Sequence, residues 1–392
     1  GRFANREQAA SIGYETSQKA HNALRWLLAR QGKYIDGEMT VVWKLPQNLK
    51  EKDSNLALDV VDLFGDTQET FLADFDWAAE CRDEDDIELD RKFAEKLNQA
   101  MAGYRAKLQP DDEVIILSVD AATTGRLAVT YYQEVPGNEF IDRVLHWHQN
   151  CTWPRWIKLH ETKKWVFINN TAPSPNEIAL AAYGTEQEKG YLACSDKLKK
   201  TTIRRILPCI IGLSPKIPAD IVKAAVNRAS NPQAYSSFVW QNCVAPVACA
   251  MIKYNEFDGK VNSMELEKDR SYLFGQLLAI LEKVEERALY LQESKTDDRL
   301  TNAKKMWNVY TRRPAITYER LYSHIVRAYL KRLNPGARAK IENEIMQIIN
   351  VLRETDGFNN NPLNERYLLG YYEEREKLMK SKGEKSNEGG EE

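Results

Sequence analysis

The chain has 392 residues, with 55 lysines and arginines against 57 aspartates and glutamates and a net charge of −2. That length leaves room for two or three domains at roughly 100 to 200 residues each, and the charge balance excludes any global electrostatic argument for nucleic acid or membrane. An electrostatic message has to be local. The longest apolar run, VAPVACAMI at 244 to 252, is far short of the roughly 20 residues of a membrane helix, so no membrane partner is expected.

The sequence begins GRFANREQ, with neither a methionine nor the apolar core of a signal peptide nor a transit-peptide pattern. It is expected to be processed or to be a piece of something longer. Residues 5 to 31 have a helical stripe (Ala20, Ala23, Leu24, Leu27, Leu28) closed by Gly32, and MTVVW at 39 to 43 follows as a strand. Residues 46 to 66 read as a loop. The acidic zone ECRDEDDIELD at 80 to 90 reads as a solvated face running into a helix that Pro110 ends near Leu108. A hairpin at 113 to 134 comes next, then a helix through LHWHQN, then a second strand pair between 156 and 168. That pair is expected to end the β content.

Ser174-Pro-Asn-Glu177 is a capping box with proline at the first helical position, so a helix should start there. Periodicity then predicts helices over about 175–183, 195–211, 218–229, 236–255, 265–292, 299–311, 316–333, 338–353 and 363–379. Leu273, Leu277, Leu281, Val284 and Ala288 form one stripe, and Ile341, Ile345, Ile348 and Leu352 another. With short connections, these predict an antiparallel bundle. The expected fold is therefore α+β. It divides into a small mixed part with β-hairpins (1–170), a helical domain (171–258), a helical bundle (259–380) and a disordered tail over 381–392.

The strongest local signal is charge. From Lys295 to Lys340 there are twelve basic residues and three acids (Asp297, Asp298, Glu319). On the 316–333 helix Arg320, His324, Arg327 and Lys331 share one face, with Tyr318, Tyr322, Ile325 and Tyr329 on the other. Lys304, Lys305, Arg312, Arg313 and Arg332 extend the basic stripe, and Trp307 or Tyr310 would offer a stacking surface. A basic groove with aromatic platforms is how single-stranded nucleic acid is held; the competing reading is a solvated bundle face over an aromatic core. A second cluster, KLKKTTIRRIL at 197 to 207, offers Lys200 and Arg204 for backbone contacts or, equally, for a solvated face.

His146, His148, Cys151 and His160 invite a zinc reading, but a two-residue spacing on a helix points the first two in different directions. No metal or other cofactor is expected. The six cysteines are scattered without a CxxC pair, which suits reduced thiols in a cytoplasm. In the hairpin, LSVDAATTGRLAVTYY at 117 to 132, Asp120 has the place of the first carboxylate of an RNase H-like nuclease. Two-metal chemistry needs further acids, and KWVFINN supplies none. Asp120 is expected to cap the turn through backbone amides, leaving Arg126 as a candidate contact to RNA or to a neighbouring subunit. No GxxxxGK[ST], GxSxG or HExxH occurs, so the expectation is a non-enzyme.

Five stretches together, SIGYETSQKAHNALRWLLARQG (11–32), the hairpin through Phe140, NRASNP (227–232), DRSYLFGQLLAILEKVEERALY (269–290) and FNNNPLNERYLLGYYEER (358–375), resemble the large subunit of the subtype I-C CRISPR surveillance complex, Cascade. The resemblance implies a non-catalytic subunit that, with backbone and small subunits and a guide RNA, supports target DNA binding. Such a subunit holds the displaced strand and recruits a separate helicase-nuclease in antiviral defence. It also implies that the bundle from about residue 260 corresponds to a separately made small subunit, with Met251 or Met264 as candidate internal starts. Members of that family carry a large region ahead of the equivalent of Gly1, so a fragment is expected, and reading of the flanking motif is carried over to no residue. A purely structural scaffold remains the third reading.

Overall fold

A computed structural model of the chain describes residues 13–31, 33–35, 38–45, 108, 112–123, 126–158, 165–168, 172–188, 190–257, 266–293 and 301–387. The acidic zone, the 46–66 segment, His160 and Lys295 to Arg299 lie outside these residues. The architecture is α+β. Helix α1 (Tyr14–Gln31) leads into a four-stranded antiparallel sheet, β1 (Lys33–Ile35), β2 (Glu38–Leu45), β3 (Glu113–Thr123) and β4 (Arg126–Pro136), paired in that order. The β3–β4 register shifts between Ser118 and Val119, where Thr130 is the extra residue. Both faces of β3 are covered, Val114 to Val119 being buried without interruption, and Thr40 and Ser118 join their hydroxyls across β2 and β3 at 2.9 Å.

Helix α2 (Gly137–Asn150) packs Phe140, Ile141 and Val144 into the core beneath the sheet. It starts on a glycine because a Cβ there would stand 2.7 Å from the Asp112 carbonyl. A hairpin, β5 (Arg155–Lys158) with β6 (Trp165–Ile168), precedes α3 (Pro175–Tyr183). Both hydrogen bonds of the capping box between Ser174 and Glu177 are present at the start of α3. The β content continues further than expected: Thr185–Glu186 (β7) pairs with Leu192–Ala193 (β8), a two-residue ladder too short for any periodicity to announce.

The remainder is helical, as the spacing predicts. Helices α4 (Asp196–Ile210) and α5 (Ala219–Ala229) are followed by a helical turn at Ser237–Val239. That turn passes through a π-helical turn at Trp240–Val244 into α6 (Ala245–Phe257). Then come α7 (Arg270–Glu293), α8 (Asn302–Arg312), α9 (Pro314–Ala328), α10 (Pro335–Glu354) and α11 (Arg366–Asn387). The backbone of α11 runs into the segment whose composition reads as a disordered tail. The α7 stripe is buried throughout, and Ile345, Ile348 and Leu352 bury the matching side of α10.

Helices α7 and α11 cross at a pair of glycines. A Cβ on Gly275 would lie 2.0 Å from the Tyr367 carbonyl, and one on Gly370 would lie 2.0 Å from the Tyr272 carbonyl. One continuous core runs from the sheet to the bundle, centred on Trp240, Trp307 and Tyr371. These rings meet edge to face, at 5.2 Å between Trp240 and Trp307 and 4.8 Å between Trp307 and Tyr371. Among the described residues, no helix is long and apolar enough to cross a membrane.

Candidate nucleic-acid interface

The basic surface is built by α8 and α9, joined at a tight corner. Thr301 caps α8 by accepting from Lys304 N–H, and Arg313 N–H closes the helix on the Val309 carbonyl at 2.9 Å. Pro314 then opens α9, where its fixed φ and missing N–H cost nothing. On α8, Lys305, Val309 and Arg312 fall at spacings of four and three and are all exposed; on α9, Ile316, Arg320, His324 and Arg327 line the matching face. Lys331 and Arg332 are also exposed, but α9 ends at Ala328. They sit on a single 3-10 turn before Asn334 caps α10.

Lys305, Arg312, Arg313, Arg320, Arg327, Lys331 and Arg332 enter no ion pair with another described residue. Arg332 lies over the Tyr329 ring at 5.6 Å. Arg338 is different: it is held by Glu342 at 2.9 Å. The α8–α9 face is thus a run of cations that no acid among the described residues neutralises.

Two expectations are corrected here. Lys304 does not belong to the surface. It is 6% exposed, its ammonium 3.3 Å from a Glu282 carboxylate and 3.1 Å from Ser237 Oγ. Glu282, wholly buried on α7, also accepts from Thr301, Tyr371 and Arg375, so Lys304 is one donor in an internal network that satisfies a buried carboxylate. Nor are Trp307 and Tyr310 stacking platforms: both are at most 1% exposed, and their polar atoms are spent on Tyr367 Oη and the Phe274 carbonyl. Burial pushes the Tyr310 phenol well up. The partner face of α9 is core as well, with Tyr318, Ile325 and Tyr329 buried.

The second cluster is largely consumed inside the molecule. Asp120 is met by Lys200 Nζ at 3.3 Å and by the Arg204 guanidinium at 4.0 Å, and Arg205 forks onto Asp220 with two bonds of 2.6 Å. That fork raises the Arg205 pKa and lowers that of Asp220. Among the described residues Asp120 thus ties β3 to α4; the turn at 124–125, which it is expected to cap, lies outside them. Nothing supports a nuclease at this position. Among the described residues no group of His, Cys, Asp and Glu forms a metal site, and His146 is exposed while His148 is buried. Arg126 begins β4 in the backbone, but its side chain lies outside the described residues.

Sequence reasoning passed over Val309 and Ile316, which are 49% and 42% exposed in the midst of the cations. The signal was present in the spacing: each stands four residues from a basic residue on the outward stripe. Arg270 was also missed. It donates to the carbonyls of Gly357, Asn359 and Asn361 at 2.7 to 2.9 Å, and so fixes the loop beside the α8–α9 corner.

A family model described as CRISPR-associated protein (Cas_Csd1) matches residues 2–379. No curated protein matches the sequence.

Proposed function

The chain belongs to the Cas_Csd1 family of CRISPR-associated proteins, and from that premise we propose that it acts as the non-catalytic large subunit of a subtype I-C Cascade surveillance complex. In this reading it works in the cytoplasm with backbone and small subunits, a guide RNA and target DNA, and a separate helicase-nuclease is recruited to cut. Its own task is to stabilise the R-loop by holding the displaced strand on the α8–α9 face. The observation that carries the reading is the run of exposed cations Lys305, Arg312, Arg313, Arg320, Arg327, Lys331 and Arg332, which pair with no acid among the described residues.

The energetics suit a modest protein contribution. Opening DNA costs about 1.4 kcal/mol per base-pair step, and guide pairing returns nearly all of it, so a few phosphate contacts on the freed strand tip the balance. If about five phosphates are neutralised, log affinity for single-stranded DNA falls against log salt with a slope near −3.5. Replacing Lys305, Arg312, Arg320 and Arg327 with alanine is expected to flatten that slope towards zero and shorten the R-loop lifetime in the assembled complex. An unchanged slope and lifetime would leave only the scaffold reading.

A further inference from the structure

The exposed stripes of α8 and α9 each carry one aliphatic side chain within about a turn of their shared corner, set between cations. Lys305–Val309–Arg312 approaches the corner on one helix and Ile316–Arg320–Arg327 leaves it on the other. Both lie close to the corner along the chain, where the Val309 carbonyl accepts from Arg313 N–H at 2.9 Å and from the buried hydroxyl of Thr317 at 3.5 Å. The corner is also held still. Asn360 Oδ1 accepts Ile316 N–H at 3.0 Å, Leu363 N–H bonds the Thr311 carbonyl at 2.8 Å, and Arg270 pins the loop between them through three carbonyls.

We infer that Val309 and Ile316 form an apolar seat for the unpaired bases of the strand whose phosphates meet the flanking cations. The inference rests on the proposed function and adds to it a means of telling single strands from duplex. A duplex turns its base faces inward and offers a cationic surface only phosphates, whereas an unpaired strand carries apolar base faces between its phosphates, matching aliphatic groups set between lysine and arginines. The charge argues for nucleic acid over an acidic peptide. Cations continue from the corner along α9 to Arg327, about 10 Å beyond Arg320 on the helix rise, as a continuous polyanion requires. A preformed corner orders little on binding, so small apolar contacts count fully.

The test uses the whole 392-residue chain and fluorescence anisotropy at several salt concentrations, with a single-stranded oligonucleotide and the same oligonucleotide carrying abasic residues. Removing the bases is expected to weaken wild-type binding about fivefold, the scale of partly burying two aliphatic side chains, without changing the salt slope. The double variant Val309→Ser, Ile316→Ser should lose the same factor on the natural strand and nothing more on the abasic one. If the wild type binds both strands equally, the seat is overturned and an acidic protein becomes its better occupant. That arm needs no variant, so it stands whatever the double variant's fold. Wild-type affinity in the double variant, or a loss accompanied by a changed slope, also overturns it. Failure of the underlying reading looks different: the four-alanine variant of the basic face would then keep the wild-type slope.

Discussion

Glu374 on α11 and Glu282 on α7 are both buried acids, and their surroundings separate them. Glu282 is surrounded by Lys304, Arg375, Tyr371 and Thr301, whereas Glu374 has Gln276 at 3.4 Å and Lys377 at 3.8 Å on one oxygen and no hydrogen-bond partner on the other. Burial first, and the neighbouring Glu344 of α10 and Glu373 second, push its pKa up to about 7, with Lys377 pulling the other way. An acid whose folded pKa lies above its unfolded value holds its proton in the native state where the unfolded chain has lost it. Folding stability therefore falls as pH rises from about 4.5 to about 7 and stays low above that, by up to roughly 3 kcal/mol. Glu374→Gln, which mimics the protonated acid, should raise the urea midpoint at pH 8 and match the wild type near pH 5. A difference independent of pH would show that ionisation of Glu374 is not the cause. Lys304 teaches the related lesson for lysines. It stands three residues before Trp307 and so within the apolar stripe of α8, a position visible in the sequence. Its partner lies on another helix, and no local pattern names Glu282; charge counting alone therefore put it on the surface.

At the scale of elements, the crossing of α7 and α11 makes an opposite-sign prediction possible. Alanine is a better helix former than glycine by about 1 kcal/mol, so Gly275→Ala would stabilise an isolated α7. In the folded chain the new Cβ meets the Tyr367 carbonyl at 2.0 Å, a backbone atom that cannot swing aside. Overpacking of that kind costs roughly 1 to 3 kcal/mol or more. The thermal midpoint of Gly275→Ala should therefore fall by several degrees, while Gly336→Ala, with nothing nearer than Asn334 Oδ1 at 4.0 Å, should not fall. A rise in both would mean that the helices do not cross as described. Most elements were legible because their signals are local: the capping box before α3, the leucine stripe of α7, the two strand-like runs of β3 and β4 either side of a glycine-containing turn. What was not legible is tertiary. Gly275 and Gly370 each announce a close approach without saying to what, and β7 and β8 are too short to have a period. The outward basic face was readable for the same reason as the helices, since spacing alone sorts Arg320 and Arg327 from Tyr318 and Ile325.

For the whole molecule, the question is whether the bundle that presents the basic face stands alone. Its interior argues that it does not. Trp240, from the helical region before the bundle, packs against Trp307 and Tyr371; Tyr367 Oη donates to Ser230 at 2.6 Å; Gln233 donates to the Lys304 and Lys305 carbonyls; and Arg366 pairs with Glu256 at 2.6 Å. A chain begun at Met251 or Met264 would lack Trp240, Ser230 and Gln233, leaving Trp307 and Tyr371 uncovered unless another surface replaced them. In the full chain the two regions should therefore open as one cooperative unit. Trp240→Ala removes the ring at their junction, a deletion that costs about 3 to 5 kcal/mol in a packed core. Native-state hydrogen exchange is the measurement that decides. Amides of α4 and α5 and amides of α7 and α11 should lose protection together and by similar free energies, because each group relies on the same buried rings. Loss confined to α4 and α5, with α7 and α11 unchanged, would show that the bundle holds its own core and presents Lys305, Arg312, Arg320 and Arg327 without help from the rest of the chain.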